Sequence, residues 1–370
     1  AWLMEDVISK SQTRCNVITS PIVMLYHIKY DHRETIVEIL MRPSLFAATS
    51  LAIASSSLAQ AEVPRVVTDI TPIGSLVAQV MNGLGIPDVL VPQTGSPHGF
   101  ALKPSQAADL QAADVVVWVG EGLSPWLEGP LSALARKARI VELAEQAAVE
   151  LPYREGAVFA ADDDHAEQDH EGHDHEGHDH EKESHDAQDH GKQDHSEHDH
   201  SGLDPHLWLD PRNGAVWLGV IAEALSAADP ENSALYQSNA AQAQAKLMAL
   251  DTEIAAQLAP FKDAPFVVFH DAYQYFSARY DLTTLGSISV SDASPPSAAR
   301  LAALQEAIKA QNVQCIFSEP QFDPRLVAAI GGKVSVAELD PLGAKIAFGP
   351  DHYADTLRAM TTSVAGCLAP

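Results

Sequence analysis

Cysteine is scarce, with three in 370 residues. That excludes a disulfide-dense scaffold and any metal cluster built on thiolates. Positive charge is also scarce: 23 Lys and Arg stand against 50 Asp and Glu, a formal charge of −27. Such a balance excludes nucleic acid or an anionic membrane surface as the main partner. The apolar run Leu45 to Ile53 is too short to cross ~30 Å of hydrocarbon at ~1.5 Å per residue. No HExxH motif is present, and no paired general base stands at a catalytic spacing, so the chain reads as a non-enzyme. What is abundant is apolar residue, 46% of the chain, enough to bury a core in two or three domains.

The first sixty residues have their own pattern. Met41 is followed by Arg42, the short apolar run, and a Ser-rich stretch ending Leu58-Ala59-Gln60-Ala61. A basic start, an apolar centre and a small-x-small end predict a signal peptide over 41–61, cleaved before Glu62. Residues 1–40 then read as upstream sequence or a prepiece, and the mature chain as periplasmic. Export leaves Cys315 and Cys367. An even pair in an exported chain reads as a disulfide, the alternative being two buried thiols.

The mature chain predicts two doubly wound α/β lobes joined by one long rigid helix. Short apolar runs at 65–69, 88–91 and 115–119 read as parallel strands of a first lobe, 62–228. Asp210-Pro211 and Asp229-Pro230 read as helix starts. From Asp229 to about Leu258 the chain has no Gly and, after Pro230, no Pro. This predicts a linking helix within 229–260, some ~40 Å long. Runs at 266–269, 283–285, 314–317 and 333–337 read as strands of a second lobe, 261–370.

Residues 161–202 break the pattern. Between Asp162 and His200 there are 11 His, 16 Asp or Glu and 2 Lys, so this stretch carries −14 of the net charge. With almost nothing apolar to bury, it is expected to be a disordered loop. Its histidines are His165, His170, His173, His175, His178, His180, His185, His190, His195, His198 and His200. They are expected to bind extra ions weakly, because a flexible segment loses entropy on ordering.

Four histidines stand elsewhere in the mature chain: His98, His206, His270 and His352. His98 follows a predicted strand and turn, His206 precedes a predicted helix, and His270 comes directly after the run Phe266–Phe269. Ligands of open α/β sheets bind beyond the carboxyl ends of strands. Neutral imidazole suits zinc, whereas manganese favours more carboxylates. Asp340, in Leu339-Asp340-Pro341-Leu342-Gly343, is a candidate fourth ligand and equally a candidate turn cap. Asp271 is a candidate for orienting a neighbouring imidazole.

Five stretches carry a wider resemblance. They are Ser96-Pro97-His98-Gly99-Phe100-Ala101-Leu102-Lys103-Pro104-Ser105, His206-Leu207-Trp208-Leu209-Asp210-Pro211, Phe269-His270-Asp271-Ala272-Tyr273, Ser318-Glu319-Pro320-Gln321-Phe322 and the Asp340 stretch. With them, residues 62–370 resemble the ZnuA-type zinc-binding solute-binding proteins of bacterial ABC importers (the cluster A-I metal-binding family). The resemblance implies a metal site in the interlobe cleft with His98, His206 and His270 as ligands to Zn²⁺. It implies an inner-membrane permease and its ATPase as partners, with periplasmic zinc chaperones as further ones, and a monomer. The His-rich insertion and the Cys315/Cys367 disulfide are similar to those of zinc members. Manganese or iron binding within the same family, and zinc enzymology, are the alternatives. One departure is Pro97, where some zinc members carry a Glu before the first ligand.

Overall fold

The computed structural model describes residues 62–154, 158–159, 202–289, 296–322 and 324–369. The predicted leader and the histidines of the acidic stretch lie outside the described residues. The first sheet begins with β1 (Val66–Thr68), α1 (Thr71–Val80), β2 (Asp88–Val89) and α2 (Pro104–Ala112). It ends with β3 (Val115–Trp118), α3 (Glu128–Leu134) and β4 (Arg139–Glu142). Helices α4 (Pro211–Ala228) and α5 (Ser233–Leu258) follow. The second sheet brings β5 (Phe266–His270), α6 (Gln274–Tyr280), β6 (Thr284–Ser289), α7 (Ala298–Ala310) and β7 (Cys315–Ser318). The chain closes with α8 (Pro324–Gly331), β8 (Ser335–Glu338) and α9 (His352–Leu368).

Both sheets are parallel and share one topology, β2-β1-β3-β4 and β6-β5-β7-β8. The two doubly wound lobes expected from the sequence are therefore present. Strand order reverses between β1 and β3, and again between β5 and β7, which opens a crevice at the carboxyl edge of each sheet. The central strands are buried along their whole length, because helices cover both faces. Alternate residues supply different cores. Phe266 and Val268 face the large cluster shared with α4, α5 and α9, whereas Val267 and Phe269 face an outer cluster with Leu304 and Ile308. In β3, Val115 and Val117 point inward while Val116 and Trp118 point outward.

Two strands differ from the sequence reading. β4 has no counterpart in it, because Arg139–Glu142 is an edge strand with only Ile140 and Val141 apolar. β6 extends past the expected run at 283–285 to Ser289, and all six of its residues are buried. Its sequence, TLGSIS, owes that burial to tertiary cover rather than to its own apolar content.

The long helix is α5, with 26 residues and about 39 Å of length. Its expected start at Asp229 is instead a short 3-10 turn, in which the Asp229 carboxylate accepts from Asn232 N. Buried Tyr236, Ala240, Ala243, Leu247, Leu250, Ile254 and Leu258 recur at helical spacing along it. The helix packs against α1, α4 and α9. Buried Asp251 pairs with Arg279 and accepts from the Tyr280 hydroxyl, fastening α5 to α6.

The chain's last helix crosses back to the first lobe. Ser75 Oγ donates to Gly349 O and accepts from Tyr353 N. The far end of α9 is tied to β7 by the Cys315–Cys367 disulfide, with a Cα separation of 6.0 Å. Replacing both cysteines by serine should lower stability by about 2–4 kcal/mol, since the link closes a long loop of the unfolded chain. Guanidinium unfolding monitored by circular dichroism checks this, with a reduced midpoint as the expected outcome.

Candidate metal centre

His270 is the last residue of β5, and Glu319 directly follows β7. These strands are parallel neighbours, so both residues emerge at the same edge. Glu319 Oε1 accepts from His270 Nδ1 at 2.7 Å and from His270 N at 3.4 Å. His206 opens the turn before α4 and sits two residues after Asp204. Asp204 Oδ1 accepts from both His206 N (2.9 Å) and His206 Nδ1 (2.7 Å). His98 lies on the loop between β2 and α2 and is half-buried. Its loop is held where Pro97 O accepts from Trp126 Nε1 at 2.7 Å.

These supports decide where the ring nitrogens face. A carboxylate beside Nδ1 favours a proton there, which leaves the Nε2 atoms of His206 and His270 unprotonated in the neutral rings. The Nε2 of His206 lies 3.2 Å from that of His98 and 3.3 Å from that of His270. All three histidines offer a ligand nitrogen within 4.8 Å of one another, and the other two are as buried as His98 is not. Lone pairs crowded this closely repel unless a cation sits among them. Four nitrogens around a tetrahedral zinc at ~2.05 Å stand ~3.3 Å apart, so the observed spacing fits such an ion. Beyond the rings lies a cavity of about 10 Å³, bordered by Trp208, Glu319, Gln321, Phe322 and Leu342. That is room for one water-sized occupant.

Burial sets the charges. His206 is held well below its ordinary range by burial and by the neighbouring His270. It is therefore neutral and able to bind a metal near pH 7. Burial pushes Asp204 up to about 7, against the pull of the His206 N–H and of Arg154. Glu319 is raised for the same reason, with His270 opposing. Carboxylates paired with ligating imidazoles fix ring orientation and raise nitrogen basicity.

Not every expected residue joins this group. Asp340 caps its own turn: its carboxylate accepts from Leu342 N at 3.0 Å, Gly343 N at 3.1 Å and Ala344 N. Asp271 is buried, but it pairs with Arg154 rather than with an imidazole. Arg154 in turn lies 3.8 Å over the Phe159 ring. His352 is structural, its Nε2 donating to Leu342 O at 2.9 Å. The sequence reading left Asp204 and Glu319 without a role. The Asp-x-His spacing at 204–206 was a local signal for the first. Nothing local marks the second, because its partner lies on another strand.

The ZnuA family model, "Zinc-uptake complex component A periplasmic", matches residues 66–367. Among curated proteins the chain is 48% identical over 332 residues to the high-affinity zinc uptake system protein ZnuA of Paracoccus denitrificans, covering 89% of this chain and 99% of that one. The protein of the same name from Brucella suis is 45% identical, covering 88% and 98%. Among solved structures, a crystal structure of ZnuA superposes with a TM-score of 0.64 at 24% identity, covering 83% of this chain and 100% of that one. The laminin-binding protein of Streptococcus agalactiae gives 0.62 at 22%, covering 82% and 99%. At these identities the two structures are likenesses of fold.

A proton count tests the carboxylate–imidazole pairs. A cation on His206 Nε2 would favour ionised Asp204, whose carboxyl burial pushes up to about 7. Loading at pH 6 should therefore release more protons than loading at pH 8, and Asp204→Asn should remove about one proton of that excess. Calorimetry in buffers of different ionisation enthalpy measures the release.

Proposed function

We infer the task of this chain from its kinship: it belongs to the ZnuA family of periplasmic zinc-uptake components. Its function is the high-affinity capture of Zn²⁺ in the periplasm for uptake. The observation that carries this reading is the convergence of three imidazole Nε2 atoms, two of them turned inward by buried carboxylates. We propose that His98, His206 and His270 are the zinc ligands. The partner is an inner-membrane permease with its ATPase, as the resemblance implies, and the protein serves it as a monomer. Periplasmic zinc chaperones are further candidate partners. Helix α5, packed along its length, supports small lobe motions on binding rather than wide opening.

A nitrogen-rich site favours zinc over manganese, which prefers oxygen ligands. The small cavity supports a cargo ion rather than an organic substrate, and with it a binding role rather than catalysis. Among the described residues no helix is long and apolar enough to cross a membrane.

Changing His98, His206 or His270 singly to Ala should weaken zinc by more than about a hundredfold, since even a residue supporting a ligand is worth 10–100-fold. Competition against a chromophoric chelator measures this, and wild-type affinity in all three variants would end the reading. The eleven histidines of the acidic stretch are proposed to hold extra ions weakly and raise the local zinc concentration. Deleting 162–200 should lower the zinc stoichiometry while leaving one tight site, as equilibrium dialysis would show. Their capture should fade below about pH 6, as imidazoles take up protons.

A further inference from the structure

We infer that Gln321 orients the fourth partner of the bound cation, a water, and that Asp340 serves the site through Gln321 rather than by touching the ion. The inference rests on the trihistidine reading above. The small cavity beyond the rings is walled mainly by apolar atoms, and its polar side chains are mostly engaged. Trp208 Nε1 donates to Pro341 O, and Glu319 Oε1 accepts from His270. Gln321 Oε1 differs: it is sealed from solvent and has no hydrogen-bond partner among the described residues. Native structures leave few such atoms unpaired, and each one calls for a reason.

The orientation of the amide follows from its other end. Gln321 Nε2 donates to Asp340 Oδ1 at 3.5 Å. A carboxylate only accepts, so nitrogen must face Asp340 and oxygen must face away from it. Asp340 is held in place by the backbone N–H groups of its own turn. Its charge polarises the amide and makes Oε1 a stronger acceptor. The cavity has room for one water. Three imidazoles and a water form a known zinc arrangement, and a zinc-bound water is a strong donor because the metal acidifies it. A buried acceptor without a partner among the described residues, on a side chain that borders this cavity, is the complement such a water needs.

The test uses the full chain loaded with Zn²⁺ or with Co²⁺, whose visible bands report coordination. Gln321→Met keeps the size and removes the acceptor. It should weaken zinc about tenfold and shift the cobalt bands. Asp340→Asn should weaken zinc less, and the double variant should be no weaker than Gln321→Met alone. If Gln321→Met proves unfolded by circular dichroism, Gln321→Glu decides: an anionic oxygen at the same point should tighten zinc, and weaker binding overturns the inference. Unchanged affinity and unchanged cobalt bands in Gln321→Met would also overturn it. So would a larger loss in Asp340→Asn than in Gln321→Met, which would make Asp340 the direct ligand. His206→Ala separates the two levels. If it retains wild-type affinity the trihistidine reading has failed, and if it loses zinc while Gln321→Met does not, only the role of Gln321 has failed.

Discussion

Two short hydrogen bonds, from His206 Nδ1 to Asp204 and from His270 Nδ1 to Glu319, govern what this molecule can do. Each places a proton on the outer ring nitrogen and so leaves a lone pair on the inner one. Without them a buried imidazole could present either tautomer, and half of those choices would point a proton into the cavity. Both carboxylates are buried, so the protein carries the desolvation of two acidic groups to keep the rings set. A dication bound among the rings would relieve that burden together with the repulsion among the nitrogens. On the proposed reading an ion would meet groups already paired, rather than an arrangement assembled on binding.

The rest of the fold serves that geometry. Parallel sheets bring strand ends from distant parts of the chain to one edge, and the order reversal beside β5 leaves space there. The segment that carries Asp340 is anchored across the crevice. Gln93 Nε2 donates to Gly343 O and Ile346 O, Trp208 to Pro341 O, and the Tyr353 hydroxyl to Trp208 O. The loop of His98 and the turn of His206 are therefore linked to the far wall of their own site. A core shared by both sheets and by α4, α5 and α9 makes these contacts parts of one packed body.

Two residues show what local sequence leaves open. Asp340 stands in a turn sequence that suits both a ligand and a cap. The structure places it as a cap, because several backbone N–H groups of a tight turn converge on one carboxylate. Asp271 is adjacent to His270 in sequence, yet β5 ends at His270 and the chain bends at Asp271, whose carboxylate pairs with Arg154 instead of an imidazole. Arg154 enters from the segment before the acidic stretch. Glu319 shows the converse: 49 residues from His270, it becomes the partner because β5 and β7 pair.

The order of chemical types along the chain was enough to show the class of fold and its two lobes, while His98, His206 and His270 were picked out as ligands by resemblance. Apolar runs and their interruptions are local properties, and burial follows them closely in β3 and β5. Imidazoles after strands, as at His98 and His270, or before a helix, as at His206, are equally visible in a linear text. Only the tertiary structure decided which carboxylate serves which ring, that the Asp340 carboxylate accepts from its own turn, and that Gln321 borders the cavity and has a buried side-chain oxygen without a partner among the described residues. Those outcomes depend on strand adjacency and on the competition of one acceptor among several donors. Both are set by long-range pairing and by burial, and neither leaves a mark at any single position of the sequence.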